Sequence, residues 1–494
     1  MGIRMQQVPK DQVLKRLALE NPWWEPPYQV STYSDLTPRP YLNLLYPLLV
    51  ERSVRRAVVL LGPRRVGKTV LLHHALKRLI ESGEKPRRIC YVSVDNPVYV
   101  NLSLEDFLNL YQEHTGISFV DEKTFFFFDE IQYLRQWEVH LKTVVDSFPN
   151  IKCVASGSAA AALRLRSDES GAGRFTDFLL PPLTFHEYLQ LTDRTQRVTL
   201  DNQNRISTPD ISALNDLFVE YLNFGGYPEV AFSKTIQADP ARFIKSDIID
   251  KVLLRDLPSL YGIQDIQELN ALFTSLAYNT AQEVSLEQLS QYSGVAKPTI
   301  KRYIEYLEAA FLIRTVKRVG RDARSFQRDR TFKVYLTNPS MRTALFSKVG
   351  ADDHAIGAMV ETAIFAQWFH SERVLQYARW KKGEIDIVNL RDSRKWAVEV
   401  KWSDAYVDDI DKLKETTRFC NRHGIPAVLV TSKTRTKNIN VGNLSVEFMP
   451  AALYCYQLGY NIVKGLKSRA AFAIAPVPPS EPPPSAPSSS SSPP

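Results

Sequence analysis

The sequence predicts an α/β protein of several domains with a disordered tail, and three observations carry that prediction. The chain has 494 residues, which suits about three compact domains rather than one. Apolar runs between residues 57 and 158 alternate with helical patterns, as expected for a parallel sheet buried on both faces. After a mainly helical stretch, a second region of strands and helices begins near residue 332.

Composition favours a globular protein without a membrane partner. The net charge of +8 suits an anionic partner but does not identify one. No apolar stretch approaches the roughly 18 residues of a membrane helix, and the N-terminus lacks the apolar core of a signal peptide. We therefore expect a cytoplasmic protein. The cysteines have no metal-ligand spacing and are interpreted as reduced thiols; they are Cys90, Cys153, Cys420 and Cys455.

Changes in composition divide the chain into six parts. Residues 1–40, rich in Pro and Trp, are predicted to be an irregular lead-in, and residues 41–190 form the parallel-sheet domain. Residues 191–270 begin with a polar loop or insertion and continue as a helical lid and connector. A helix-turn-helix region at 271–331 and an α/β domain at 332–465 follow. The Pro/Ser-rich residues 474–494 cannot bury a core and are predicted to be disordered.

Residues 62–69, GPRRVGKT, match the phosphate-binding pattern G-x-x-x-x-G-K-[ST] in full. They follow the strand AVVLL and open a helix, so backbone amides and the helix N-terminus are placed to hold phosphates. Lys68 is predicted to neutralise the β- and γ-phosphates, and Thr69 to bind Mg²⁺. A glycine turn before an ordinary helix is the alternative. The predicted nucleotide-binding residues are Gly62, Pro63, Arg64, Arg65, Val66, Gly67, Lys68, Thr69 and Val70.

Two later strands supply candidates for the chemistry of hydrolysis. The strand TFFFFDE ends in Asp129, predicted to hold Mg²⁺ through water, and in Glu130, predicted to orient and deprotonate the attacking water. Two acids after an apolar strand say little alone, but they follow a complete phosphate-binding loop. The next strand ends in Ser156 and Ser158, which are either γ-phosphate sensors or turn formers.

Several motifs in order resemble a known family. They are GPRRVGKT, FFFFDEIQYL, ASGSAAA, ESGAGR, PLTFHEYL and GGYPEV. Together they resemble the prokaryotic AAA-plus-like P-loop ATPases that carry a C-terminal domain of unknown function, over residues 40–465. The resemblance implies a homo-oligomer, since such enzymes often form rings. It also implies that Arg174 is an arginine finger or γ-phosphate contact; a structural salt bridge is the alternative.

Residues 284–318 predict a helix-turn-helix, as in a winged helix. Ser285 is placed to cap the first helix, and Gly294 lies in the turn. Lys297, Lys301 and Arg302 are predicted to face outward from a recognition helix toward DNA. The basic run that follows suits a phosphate backbone or, alternatively, a solvated face between domains. Its members are Arg314, Lys317, Arg318, Arg321, Arg324, Arg328, Arg330 and Lys333.

A last pattern resembles the restriction-endonuclease-like arrangement D…(D/E)-x-K. Asp386 lies on one predicted strand, and Glu399 and Lys401 share a face of the next. Asp386 and Glu399 are predicted metal ligands, Glu361 on the preceding helix an outer carboxylate, and Lys401 the residue that activates water. A cross-strand Glu–Lys pair on an exposed face is the alternative, and such folds are often retained for binding after cleavage is lost.

The sequence leads to two functional hypotheses. In the first, ATP and Mg²⁺ at the phosphate-binding loop drive an ATPase whose nucleotide state controls a DNA-binding, DNA-cleaving C-terminal half. In the second, the chain is an ATP-switched regulator or scaffold whose nuclease-like module is inactive and binds a protein partner. DNA affinity that falls steeply with salt favours the first hypothesis.

Overall fold

The computed structural model describes residues 8–27, 33, 35–158, 173–201, 206–319, 331–370, 374–381, 383–390 and 395–464. The predicted disordered tail lies outside these residues. All four cysteines are free and buried, and Cys90 and Cys153 lie in the apolar strands in which the sequence places them. In the described part of the chain, no helix combines the length and apolarity needed to cross a membrane.

The N-terminal part is a five-stranded sheet in the order β2-β3-β4-β1-β5, with every pair parallel. Its middle strands are buried on both faces, which explains their continuous apolar sequences. The strands are β1 (Ala57–Leu61), β2 (Ile89–Ser93), β3 (Thr124–Asp129), β4 (Ile151–Gly157) and β5 (Phe175–Leu179). The helices are α1 (Lys10–Glu20), α2 (Leu42–Val50), α3 (Lys68–Glu81), α4 (Leu104–Thr115) and α5 (Trp137–Ser147).

The prediction that residues 1–40 are irregular is wrong for part of that segment. Helix α1 buries Val13 and Leu17, and the 3₁₀ turn after it buries Trp23 and Trp24. Both indole nitrogens donate to the carbonyl of Ile89 at the start of β2, at 3.0 and 2.7 Å. The paired tryptophans therefore fix this segment to the sheet, because a buried indole requires an acceptor.

The connector (residues 191–270) is helical, as predicted, after a short hairpin. Its regular elements and the helices on either side are α6 (Phe185–Leu191), β6 (Thr199–Leu200), β7 (Ile206–Ser207), α7 (Ile211–Phe224), α8 (Pro228–Phe232), α9 (Lys234–Ala238), the π-helical stretches Ala241–Asp250 and Val252–Asp256, α10 (Leu257–Tyr261) and α11 (Ile266–Tyr278). The hairpin pairs residues 199–200 with 206–207, inside the predicted polar loop.

The rest of the described chain forms one nine-stranded sheet in the order β15-β16-β14-β13-β12-β11-β9-β10-β8. Its elements are β8 (Glu283–Ser285), α12 (Leu286–Ser293), α13 (Lys297–Ala309), β9 (Ile313–Arg318), β10 (Thr331–Leu336), α14 (Ser340–Leu345), α15 (Ile356–Gln367), β11 (Gln376–Trp380), β12 (Gly383–Asn389), β13 (Trp396–Glu399), α16 (Ala405–Asp408), α17 (Lys414–His423), β14 (Ala427–Ser432), β15 (Lys437–Val441), β16 (Leu444–Pro450) and α18 (Ala451–Val463).

This sheet joins two units that the sequence separates at residue 331. Helices α12 and α13 form the predicted helix-turn-helix: Ser285 caps α12 by accepting from the Gln288 amide at 3.1 Å, and Gly294 ends it with φ +72°. Strand β9 pairs with β10 on one side and, in parallel, with β11 on the other. The boundary placed at residue 331 is therefore wrong, because it falls on the first residue of β10.

Candidate functional sites

The phosphate-binding loop lies at the carboxyl end of β1, where α3 begins. Gly67 precedes α3 with φ +91°, a backbone conformation that glycine adopts without strain. The Lys68 ammonium is buried and donates to the carbonyls of Gly62 and Pro63 at 3.1 and 3.0 Å. Burial lowers its pKa, against the attraction of Glu130 and Asp129. A buried cation bonded only to neutral carbonyls in the described structure suits an arriving anion.

Asp129 meets the loop through hydroxyl donors. Thr69 Oγ1 donates to Asp129 Oδ2 at 2.6 Å, and Tyr91 OH donates to the same oxygen at 2.8 Å. Ser156 Oγ contacts Asp129 Oδ1. The two residues predicted to hold Mg²⁺, Thr69 and Asp129, are thus in contact, and hydroxyl and carboxylate oxygens are the ligands that Mg²⁺ prefers. The residues present fit this ion.

Glu130, the predicted water-activating residue, is held in an unusual conformation. Its φ is +55°, a region that is strained for a residue with a side chain. Its amide donates to Ser156 Oγ at 3.2 Å, and its carboxylate contacts Gln132 Nε2. Gln132 in turn accepts from the Ser158 amide at 3.3 Å. The structure therefore places Ser156 and Ser158 beside the acids; their role as phosphate sensors stays a prediction.

Close packing fixes the loop from behind. A Cβ on Gly62 would lie 2.2 Å from the Leu180 carbonyl oxygen, so this position requires glycine. Arg39, from the segment predicted to be irregular, donates to the Val66 carbonyl at 2.8 Å and grips the Glu187 carboxylate with two nitrogens at 2.9 and 3.0 Å. Arg39 and Glu187 are both buried. This pair attaches the loop to helix α6.

The two arginines inside the loop point to the connector. Arg64 binds both oxygens of Asp256 at 2.6 and 2.8 Å. Arg65 contacts Glu229 at 2.7 Å and Asp247 at 3.0 Å, from a backbone with φ +127°. Both residues are among the predicted nucleotide-binding residues of the loop, whose pattern assigns no task to these two side chains; in this structure both side chains are engaged by acids of the connector.

Arg174 does not reach the loop within this chain. It precedes β5, whose first residue pairs with Ala57 at the amino end of β1. The loop leaves the opposite end of β1, a strand length of about 16 Å away. Arg174 instead forms a 2.5 Å salt bridge with Asp146. The γ-phosphate contact within one chain is therefore wrong and the salt bridge of the alternative interpretation is present, whereas an arginine-finger role toward a second copy stays a prediction.

The predicted DNA-binding face is partly neutralised. Lys297, Lys301 and Arg302 are exposed on α13, but Lys297 pairs with Glu287 and Lys301 with Glu305. In the basic run, Arg314 and Lys317 are exposed on β9, whereas Lys333 is buried and unavailable to a phosphate backbone. Arg318, half-buried on the same strand, donates to the Arg379 carbonyl. Arg321, Arg324, Arg328 and Arg330 lie outside the described residues.

The four residues of the nuclease-like pattern do come together. Lys401 Nζ lies 2.6 Å from Glu399 Oε1, and Asp386 Oδ2 accepts from the Val400 amide at 2.8 Å. Glu361 lies on α15, facing the same cluster. Burial and Asp386 raise the pKa of Glu399 to about 8. Glu399 is buried, so the alternative of a pair on an exposed face is wrong.

The carboxylates that converge are not the predicted set. Oxygens of Glu361, Glu384 and Asp386 lie within 4.8 Å of one another; we call these three the carboxylate cage. Lys333 Nζ, from β10, lies 2.8 Å from Glu361 and 3.0 Å from Asp386 and contacts Glu384. An ammonium therefore stands among the oxygens that a metal ion would need. The cage as described does not fit Mg²⁺.

Sequence reasoning missed several residues for identifiable reasons. Glu187 carries a visible signal, since Thr184 and Glu187 have the S/T-x-x-E spacing of a capping box, which the structure contains. Arg39 and Tyr91 carry none, and Lys333 carries only the signal of the basic run, which predicts a different role. Each acts over a long sequence separation, and a single charged or phenolic residue near or within a strand has no pattern of its own.

Comparison with known proteins gives two family matches. Residues 54–189 match a family described as AAA domain, and residues 215–353 match a domain of unknown function, DUF8612. The first match spans the loop and Asp129; the second begins in α7 and covers the helix-turn-helix. Neither of these matches extends beyond residue 353.

Curated relatives are similar over most of the chain. "Uncharacterized protein MJ1637" of Methanocaldococcus jannaschii is 27% identical over 64% of this chain and 68% of its own length. An "Uncharacterized protein" of Haemophilus influenzae is 26% identical over 70% of this chain and 82% of its own. A solved structure, the Aeropyrum pernix ORC1 protein in complex with DNA, aligns at 13% identity and TM-score 0.29 over 66% of this chain and 96% of that one. The AAA-domain match, together with the parallel sheet and its phosphate-binding loop, supports a P-loop ATPase of the AAA type at residues 54–189.

Proposed function

We propose that this chain binds and hydrolyses ATP at residues 62–69 and that its nucleotide state acts on the C-terminal half through the connector. The observation that carries the proposal is the 2.6 Å hydrogen bond from Thr69 Oγ1 to Asp129 Oδ2. It joins the loop to the acidic end of β3, on the far side of β4, as metal binding in P-loop ATPases requires. A glycine turn before an ordinary helix needs neither this contact nor a buried lysine.

Each residue then has a defined task. Lys68 exchanges two carbonyl partners for phosphate oxygens, and its buried charge acts at full strength because water is excluded. Thr69 and Asp129 would hold Mg²⁺, which supplies charge neutralisation at the phosphates when bound. Glu130 orients a water for attack on the γ-phosphate and accepts its proton. Gln132 and Ser156 position Glu130 from its side chain and its amide.

The hydrolysis proposal is tested by phosphate release from purified protein with Mg²⁺ and ATP. Lys68→Ala should lose nucleotide binding, and Glu130→Gln should keep binding but lose at least about 100-fold in turnover, the usual scale for a group that acts in the transition state. Lys77→Ala is the matched control, a lysine of the same helix that pairs with Glu81 at the surface. Unchanged turnover in both site variants contradicts the proposal.

Two polar contacts, one partly and one fully buried, support transmission to the C-terminal half. Arg64 ties the loop to Asp256 of the connector. Arg39 ties the loop to Glu187, whose helix α6 begins at Phe185, and the Phe185 amide donates to Gln367 Oε1 on α15 at 3.2 Å. A change in the loop therefore has short covalent and polar routes to both the connector and the C-terminal sheet.

For the output of the C-terminal half, we infer two candidates with different supporting observations. DNA binding is supported by the helix-turn-helix geometry and by Arg302, exposed on α13. A protein partner, with an inactive nuclease-like module, is supported by the acidic partners of Lys297 and Lys301 and by the buried Lys333. The second candidate agrees with three of these four basic residues, since Lys297, Lys301 and Lys333 have acidic partners within the chain and only Arg302 favours DNA.

The two candidates are separated by DNA titration of the full chain at several salt concentrations, with and without ATP. DNA binding that weakens steeply with salt, and that Arg302→Ala weakens further, favours DNA as the ligand. The absence of measurable affinity at low salt favours the protein partner. A rise in ATP turnover on adding DNA would connect the two halves directly.

A further inference from the structure

The carboxylate cage (Glu361, Glu384 and Asp386) collects acids from two elements around one lysine. Glu384 and Asp386 are two residues apart on β12 and so share a face, while Glu361 comes from α15. Lys333 enters from β10, and its side chain is only 2% exposed. The cage therefore lies where the strand pair of the helix-turn-helix unit meets the nuclease-like unit.

The Lys333 ammonium satisfies the cage. An ammonium has three hydrogen-bond donors, and Nζ contacts one oxygen from each of the three carboxylates. Two of these carboxylates accept further hydrogen bonds. Tyr335 OH donates at 2.7 Å to Glu361 Oε1, the oxygen that Lys333 also contacts, and the Val400 amide donates to Asp386 Oδ2. Both donors and acceptors at the centre of the cage are accounted for.

Two lysines offset part of the carboxylate charge of the cluster without a divalent ion. Lys333 and Lys401 face the cage and Glu399, whose second oxygen, Oε2, has no hydrogen-bond partner among the described residues. A divalent cation entering the cage would sit against an ammonium in a site of low dielectric constant, where repulsion is strong.

We propose that Lys333 is the resident cation of the carboxylate cage and that it excludes a divalent metal ion from the site that the D…(D/E)-x-K pattern predicts. The lysine fastens β10 to α15 and β12, so the helix-turn-helix and nuclease-like units share one buried ionic lock. In this arrangement the carboxylates of the cage stabilise the fold, and the nuclease-like unit does not carry out metal-dependent cleavage.

The test is a Mn²⁺ titration of the nucleotide-free full chain, in which the electron paramagnetic resonance signal of the free ion measures how much Mn²⁺ is unbound. Wild type should bind no Mn²⁺ at the cage, so Asp386→Asn should leave its Mn²⁺ binding unchanged. Lys333→Met keeps the length of the side chain without its charge. It should create one Mn²⁺ site per chain that binds at least ten-fold more tightly than any site of the wild type. This site should be lost in Lys333→Met/Asp386→Asn. Lys401→Met is the matched control; it removes the other lysine of the cluster, which pairs with Glu399, and should create no site.

Several results would overturn the proposal. One is an Asp386-dependent Mn²⁺ site in wild type; another is a folded Lys333→Met protein, by circular dichroism, that gains no site. A site that appears equally in Lys401→Met would assign the exclusion to overall charge rather than to Lys333. If Lys333→Met does not fold, Lys333→Gln removes the charge, keeps a hydrogen-bond donor and leaves all three carboxylates in place, and the same gain over wild type is required of it.

Discussion

Removal of the Arg64 guanidinium should loosen the phosphate-binding loop from the connector, and removal of its neighbour Arg65 should not. Arg64 forms two charge-assisted hydrogen bonds with Asp256, and the two side chains are 24% and 10% exposed. A hydrogen bond to a charged group contributes about 1.5–3 kcal/mol. Truncation also strands a mostly buried carboxylate. We therefore expect Arg64→Ala to cost about 2–4 kcal/mol, slightly less than breaking a fully buried pair.

Arg65 supplies the comparison at the adjacent position. Its side chain is 39% exposed, and its partners Glu229 and Asp247 are 51% and 28% exposed. Exposed ion pairs contribute from nothing to about 1 kcal/mol because water and salt screen them. The same substitution at these two neighbouring arginines should therefore differ by more than about 1 kcal/mol.

Hydrogen exchange is the appropriate assay, because it reports local opening of the loop and of the connector separately. Arg64→Ala should speed amide exchange in residues 62–69 and 241–256 by about 30- to 1000-fold, the equivalent of 2–4 kcal/mol. Asp256→Ala should do the same, and the double variant little more. Additive effects of the two substitutions, or an equal effect of Arg65→Ala, would refute the reasoning.

Three further perturbations test the packing around the site. Arg39→Ala leaves Glu187, which is fully buried, without its partner, and should cost about 3–5 kcal/mol; an unchanged thermal midpoint would contradict this. Gly62→Ala should abolish binding of a fluorescent ATP analogue because its Cβ meets a backbone carbonyl, whereas Gly357→Ala, with open space around it, should bind normally. Burial lowers the pKa of His73 to about 4 from an unfolded value near 6.5. Neutral His73 therefore contributes to the free energy of unfolding above pH 6.5, and this contribution, up to about 3 kcal/mol, is lost as the pH falls from about 6.5 to about 4. His73→Leu should flatten this part of the profile of thermal midpoint against pH.

The sequence predicts the phosphate-binding loop and the acids beside it because these residues are local and patterned. The loop, the apolar strand before Asp129 and the helix after Thr69 each obey a periodicity or a fixed spacing. The parallel sheet follows from the same apolar runs. Arg174 shows the limit, because a motif gives its place in the chain but not the end of the sheet at which it lies.

The C-terminal sheet was only partly predictable, and the reason is the range of its contacts. Strand alternation correctly places Glu399 and Lys401 together opposite Asp386. Nothing local shows that β10 lies in the same sheet, since its neighbour β9 pairs with β11 across many intervening residues. Lys333 is therefore interpreted as a surface charge in the sequence, whereas the sheet buries it in the cage.

The contacts of Lys68 suggest how nucleotide binding reaches Arg64. Its ammonium is bonded to the Gly62 and Pro63 carbonyls, and the Pro63 carbonyl belongs to the peptide bond that leads into Arg64. Phosphate that draws Lys68 away frees these carbonyls and changes the backbone that aims Arg64 at Asp256. Linkage then fixes the magnitude: if ATP favours the docked connector by some factor, a variant with an undocked connector must bind ATP more weakly by up to that factor. The factor by which Arg64→Ala weakens ATP binding must therefore not exceed the factor by which ATP protects residues 241–256 of the wild type from hydrogen exchange. Protection in the wild type without any loss of ATP affinity in Arg64→Ala would exclude this route.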